Sequence, residues 1–415
     1  MSDCLRLLRL FFTAMVAVVA GCLQPASPLA QTALPTLLPH PIHLASGKTF
    51  SLNLPVGFEV DVAAEGLHRV RFLTRAPDGR IFTTDMHDRS DNSLGTVYIL
   101  DGFDPATGRF ARVTPYLRHL RNPNDVAFYT DASGQSWLYL PLTDKLERFR
   151  YKAGDNSPSS PPEVLAHYPD YGLNYKYGGW HLTRTVAVGK ELGRDVLYVS
   201  VGSSCNNCEE KEEIRATIST MDPDGGNPRI IARGMRNAVG LKYLDGTLYV
   251  ANMGADHLGD DAPDDPMFAI RGAAAVPARA LNYGWPYCYF QHGVVVGDPE
   301  FASSPKHANC AEVPAAFAFF AAHSAPLGLD YFGEQDTALH GSFLVALHGA
   351  SKKSIGTGYR VVRVGQGSDP QDFVTGFLNH GVVYGRPCGI LRTGPDAFLL
   401  TDDEGGVVYY IHRRN

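Results

Sequence analysis

Trp137-Leu138-Tyr139-Leu140, Leu197-Tyr198-Val199-Ser200 and Leu248-Tyr249-Val250-Ala251 are variants of one short apolar run. The same kind of run stands at Ile81-Phe82-Thr83-Thr84, Phe343-Leu344-Val345-Ala346 and Phe398-Leu399-Leu400-Thr401. Polar turns flank each copy, and the residue types are those that favour strands. A following strand is read at Thr96–Ile99, Leu146–Phe149, Tyr359–Val362 and Val407–Tyr410. The copies recur at intervals of roughly 50–60 residues, close to the period of propeller blades. The step from Leu248 to Phe343 is nearly twice as wide and signals an insertion at about residues 256–340. A single such sheet cannot bury both faces, so six runs imply six blades packed around an axis. The expectation is an all-β, six-bladed β-propeller over residues 50–415, with a large β-sandwich of coincidental spacing as the rival.

Composition agrees with this reading. The chain has 42 Gly and 28 Pro for turns, and 20 Tyr and 21 Phe for strands. Hydrophobic residues at 44% suffice for a sizeable core, and 37 basic against 43 acidic residues leave no basic footprint for nucleic acid. No strand–GxGxxG–helix unit is present, which disfavours a nicotinamide cofactor.

The N-terminus reads as an export signal over residues 1–21. Arg6 and Arg9 precede an apolar stretch, Leu10–Ala20, too short to span a bilayer comfortably. It ends in Val19-Ala20-Gly21-Cys22, which resembles a lipoprotein cleavage box with Cys22 as the acylated residue. Ordinary cleavage after Ala30 is the alternative. Residues 22–49 read as a tether, and the location expected is a bacterial periplasm, with membrane attachment only through lipid. In an oxidising compartment the local pairs are Cys205 with Cys208 and Cys288 with Cys310, leaving Cys388 over. A zinc site at Cys205-Asn206-Asn207-Cys208 lacks a second ligand pair at usual spacing.

Polar motifs concentrate between the runs. They are Gly178-Gly179-Trp180-His181-Leu182-Thr183-Arg184, Gly202-Ser203-Ser204-Cys205-Asn206, Gly234-Met235-Arg236-Asn237, Asn252-Met253-Gly254-Ala255-Asp256, Tyr283-Gly284-Trp285-Pro286-Tyr287-Cys288, His323-Ser324-Ala325-Pro326, His348-Gly349 and Gly385-Arg386-Pro387. In this order they resemble the glucose/sorbosone dehydrogenase family, the pyrroloquinoline quinone-dependent sugar dehydrogenases, closest to its sorbosone dehydrogenase-like branch. The resemblance runs from about Phe58 to the C-terminus.

That resemblance implies oxidation of an aldose or sorbosone, with hydride passing to pyrroloquinoline quinone and electrons to an external acceptor. His181 matches the catalytic base, a role an imidazole suits near neutral pH. Arg236, Asn237, Arg386 and Lys353 match positions near the quinone, whose carboxylates call for fixed cations. Lys353 competes with Lys352 in Ala350-Ser351-Lys352-Lys353. Gly254 and Ala255 match a step whose backbone carbonyls hold calcium, an ion that prefers hard oxygen ligands. The acidic loop of Asp256, Asp260, Asp261, Asp264 and Asp265 is open to three readings: further calcium ligands, a second structural ion, or a solvated turn. Two departures from the family pattern stand out. Trp180 replaces an acidic residue before the histidine, and Tyr384 replaces a second quinone-facing arginine. Two other functions remain: a non-catalytic propeller binding a carbohydrate or protein partner, and a calcium-dependent lactonase.

Overall fold

The computed structural model describes residues 36–170, 181–271, 280–306, 308–335 and 337–414. The expected signal, Cys22 and Trp180 lie outside them. Among the described residues the regular secondary structure is almost wholly strand, with two short 3-10 turns, and no helix is long and apolar enough to cross a membrane.

Six sheets form the blades, each with four antiparallel strands, and the third gains a short fifth strand, Leu281–Asn282, paired in parallel with its outer edge. The first comprises Val70–Arg75, Ile81–Asp85, Gly95–Asp104 and Arg109–Leu120, and the second Ala127–Thr130, Ser136–Pro141, Lys145–Tyr151 and Glu163–His167. The third holds Arg184–Glu191, Arg194–Val201, Thr217–Met221 and Arg229–Arg233; the fourth holds Asn237–Leu244, Thr247–Met253, Asp265–Arg271 and Ala318–Phe320. Pro326–Phe332, Ser342–Leu347, Arg360–Val364 and Gln371–Val374 make the fifth. The sixth takes Pro387–Gly394, Ala397–Asp402 and Val407–Arg413 from the C-terminus and Phe58–Ala64 from near the N-terminus. This shared blade closes the ring, since its outer strand is supplied by the segment that leads into blade one.

The six sequence runs all fall at one structural position, the second strand of each blade. The reason is burial. Leu138, Tyr139 and Leu140, like Leu197, Val199 and Val250, are essentially inaccessible, being covered on both faces by neighbouring blades. The innermost strands are mixed in character because one end faces solvent around the axis, and their periodicity is weaker.

Inner strands approach one another at glycines. A Cβ on Gly240 would lie 1.9 Å from Leu327 O, one on Gly328 2.5 Å from Cys388 O, and one on Gly389 2.6 Å from Arg71 O. Strand register shifts at these places, between Ala238 and Gly240, Pro326 and Leu329, and Pro387 and Ile390. Threonine hydroxyls tie blades together beside them: Thr185 Oγ1 donates to Val239 O at 2.7 Å and Thr401 Oγ1 to Arg71 O at 2.6 Å.

Two boundaries change. The expected tether of residues 22–49 contains a strand, Leu37–His43, paired with Thr49–Pro55. Phe50, Leu52 and Leu54 of that hairpin sink into the core with Phe332 and Phe373, and Asn53 exchanges backbone bonds with Thr375. The insertion is narrower than residues 256–340, because Asp265–Arg271, Ala318–Phe320 and Pro326–Phe332 are blade strands. What remains carries the hairpin Cys288–Gln291/Val294–Gly297, and both expected disulfides are formed: Cys205–Cys208 and Cys288–Cys310. Cys388 is a buried free thiol whose pKa burial pushes up to about 12, so it is inert.

Candidate active site

The entry ends of the inner strands surround a funnel of about 770 Å³. Residues distant in sequence meet there because each blade delivers the start of its innermost strand to the same end of the axis.

His181 precedes the inner strand of blade three in a left-handed backbone conformation, φ 47°. Gly202 packs against it so closely that a Cβ there would lie 2.5 Å from His181 Cβ. Its Nδ1 stands 2.9 Å from Ser203 Oγ and 3.0 Å from Ser203 O. The serine hydroxyl gives its own hydrogen to Cys205 O at 2.7 Å, so toward the imidazole it accepts. Both Nδ1 partners are therefore acceptors, Nδ1 carries the proton, and the lone pair resides on Nε2. Burial, reinforced by the Arg236 charge, holds the pKa well below 6.5. His181 is a neutral imidazole of fixed tautomer.

Arg236 opens blade four and is almost fully buried. Its Nε donates to Asn206 O at 2.9 Å, Nη2 to Asn206 Oδ1 at 2.8 Å, and Nη1 to Gly254 O at 2.6 Å. Asp256 is its ionic partner at 3.4 Å. Asn237 borders the funnel too, with its backbone N–H on Asn252 Oδ1. The Gly254 carbonyl assigned to calcium is thus held by a guanidinium. A fixed positive charge 2.6 Å from that oxygen opposes a dication, and Ala255 beside it is buried. The residues at this step do not fit calcium.

Arg386 reaches the funnel rim but is committed elsewhere. Its Nη1 donates to Gly349 O at 2.8 Å, Nη2 to Tyr359 OH at 2.9 Å and Ala350 O at 3.2 Å, and the guanidinium stacks on Tyr359. It braces the carbonyl loop of residues 348–350. Lys353 is exposed and outside the funnel lining, and Lys352 pairs at the surface with Asp260. Tyr384 faces away, stacked on Phe50 of the N-terminal hairpin at 5.2 Å.

Sequence reading missed a second charged cluster. Arg71, on the inner strand of blade one, donates to Asn124 Oδ1 and to Asp403, which also accepts from Arg69 at 2.9 Å and His348 Nε2 at 2.8 Å. The hydrogen bond from His348 and the charges of Arg71 and Arg69 hold the buried Asp403 carboxyl far below its usual range, while burial lowers His348 itself to about 4. Arg71, Arg89 and His348 border the funnel. His323 Nε2 donates to Gly259 O and its Nδ1 meets Asp256, contacts that raise its pKa despite partial burial. The carboxyls opposing them in the lining are Asp256 and Asp265, and burial pushes Asp265 up to about 7. The funnel is therefore net cationic. Repeat alignment on the inner strands would have exposed Arg71; alignment on the more apolar second strands hid it.

A family model, TrAA12-like, matches residues 126–375. The chain belongs to the TrAA12-like family. The sequence resemblance to quinone-dependent sugar dehydrogenases is borne out at family level. The TrAA12-like chain shares its fold with solved structures at low identity. An iodide structure of Trichoderma reesei Carbohydrate-Active Enzymes Family AA12 is 16% identical, with TM-score 0.71 over 92% of this chain and 99% of that one. The holo pyranose dehydrogenase PQQ domain from Coprinopsis cinerea is 19% identical, with TM-score 0.66 over 88% and 97%. The apo soluble aldose sugar dehydrogenase from Escherichia coli is 13% identical, with TM-score 0.58 over 86% and 100%. No curated protein matches this TrAA12-like sequence.

Proposed function

We propose that this protein oxidises a sugar, an aldose or sorbosone, with pyrroloquinoline quinone as cofactor and an external electron acceptor. The observation that carries the reading is His181: a neutral imidazole of fixed tautomer at the edge of a cationic funnel. Neighbours with related folds include the pyranose dehydrogenase PQQ domain and the aldose sugar dehydrogenase, which supports the same class.

The donor chemistry suits a planar tricarboxylate. Arg71, Arg89 and Arg236 border the funnel, Arg386 adds its charge while its donors stay on residues 349–359, and the carboxyls in the same lining are two, Asp256 and Asp265. Arg236 and Asn237 would hold the cofactor from blade four, and Arg89, the least committed of the set, would cover its rim. When bound, the quinone supplies the hydride acceptor. His181 Nε2 takes the proton from the sugar hydroxyl that is being oxidised. Ser203 keeps Nδ1 protonated, and an imidazolium formed at His181 is stabilised through that bond. No step runs through calcium.

Export to a periplasm, with or without a lipid at Cys22, is the location we propose; two disulfides suit an oxidising compartment. The test is reconstitution: the chain from Leu23 onward, titrated with pyrroloquinoline quinone and assayed by dye reduction over aldoses and sorbosone. Quinone-dependent reduction that His181→Gln abolishes supports the reading. Absence of quinone binding by absorbance titration sinks it.

A further inference from the structure

Asn207, next to the residue that holds Arg236, belongs to a second constellation that does not border the funnel. His257 comes from the acidic loop of blade four, and the insertion supplies Asp298, which caps the Pro299–Phe301 turn, and Glu300 within that turn. Ligand-capable atoms of His257, Asp298 and Glu300 lie within 4.8 Å of one another. Asn207 Nδ2 stands 2.9 Å from His257 Nε2, 3.2 Å from Asp298 Oδ2 and 2.9 Å from Glu300 Oε2.

These contacts cannot all be satisfied by hydrogens. The amide nitrogen has two hydrogens and faces three acceptors. His257 Nε2 is also 3.0 Å from Asp298 Oδ2. A hydrogen on Nε2 would serve Asp298 but meet the Asn207 amide hydrogens; a lone pair would serve Asn207 but face the carboxylate. Behind this knot, His257 Nδ1 and Asn207 Oδ1 are buried with no hydrogen-bond partner among the described residues. Asp298 is 4% exposed and its other oxygen already accepts from Glu300 N, leaving Oδ2 for the cluster. A cavity of about 30 Å³, the size of one water or ion, touches Asn207, His257 and Asp298.

We propose that Asn207, His257, Asp298 and Glu300 form a site for a divalent transition-metal ion of the zinc or manganese class. Turning the Asn207 amide half a turn brings Oδ1 in place of Nδ2. Four lone-pair atoms, one imidazole nitrogen and three oxygens, then converge with no hydrogen between them. A cation satisfies all four together. The imidazole selects zinc or manganese over calcium, which takes oxygen ligands. The ion would join the Cys205–Cys208 loop, the acidic loop and the insertion, and so brace Asn206 against Arg236. This site needs no quinone, so its fate is separate from that of the dehydrogenase reading.

The test uses tag-free protein, dialysed against EDTA and then titrated with zinc sulfate or manganese chloride. The expected result is one equivalent retained after desalting, measured by mass spectrometry of the metal, and a Tm raised by several degrees. His257→Gln and the exposed Glu300→Gln should each weaken binding at least about tenfold, the latter without a change in metal-free Tm. Substoichiometric metal with an unmoved Tm overturns the site, as does undiminished binding by both variants. A metal-free chain in which His257→Gln lowers stability only at acid pH also overturns it, since a protonated imidazole would then fill the role.

Discussion

Arg236 Nη1 donates to Gly254 O at 2.6 Å, across the carbonyl that the family resemblance assigns to calcium. The guanidinium thereby supplies the positive charge that a metal would bring to this wall of the funnel. Quinone-dependent activity should stay within about twofold after treatment with EGTA and without added calcium. Arg236→Lys keeps a charge but loses the planar fork, and should lower activity at least about tenfold. Restoration of full activity by calcium in an EGTA-treated sample would contradict this arrangement.

His181 must be neutral to accept a proton, and its folded pKa lies well below 6.5. Activity is therefore lost only as pH falls through that depressed value. The pH profile of kcat/KM should be flat through 6.5 and decline further into acid. His181→Gln should cost on the order of 10²–10⁴-fold. An acid limb centred above pH 6.5 would exclude His181 as the base.

Arg71 borders the funnel and Lys353 does not. Lys353→Ala should leave activity and quinone affinity within about twofold of the parent. Arg71→Lys should weaken quinone binding at least about tenfold, because the bonds to Asn124 and Asp403 need two separate guanidinium nitrogens. Absorbance titration with the quinone checks both.

Gly240 and Gly328 act through the ring and not through chemistry. Gly240→Ala and Gly328→Ala should each cost more than about 2 kcal/mol, since the new methyl meets backbone of the next blade. Denaturant unfolding measures this; a loss under about 0.5 kcal/mol would show that the inner strands can separate.

His348 is lowered to about 4 in the fold, against 6.5 when free. Between these values the unfolded chain binds the extra proton, so this residue's contribution is whole above pH 6.5 and lost as pH falls toward 4. Buried Asp125, Asp265 and Asp402, raised to about 7, act in the opposite sense, losing their contribution as pH rises from 3.8 to 7. The informative quantity is the difference between parent and His348→Gln. The variant should be relatively more stable at pH 4.5 than at pH 7.5, and a pH-independent difference would refute the buried, neutral His348.

Blade number was legible because one strand in each blade is covered on both faces and so appears as an uninterrupted apolar run, from Ile81 to Thr401. Both disulfides were legible too, from cysteine spacing and the expected compartment. Local sequence also marked His181, Arg236 and Asn237, which sit at the turns entering inner strands, where polar residues interrupt apolar patterning. Long-range geometry decided the rest. Whether an arginine is available to a ligand depends on which carbonyls surround it, and Arg386 and Lys353 carry no local sign of being bound or turned outward. The same holds for Gly254, whose carbonyl is held by a residue from the preceding blade junction. Asn207, His257, Asp298 and Glu300 are separated by most of a blade and an insertion, and they meet only because blade four packs beside blade three and folds the insertion back over both loops.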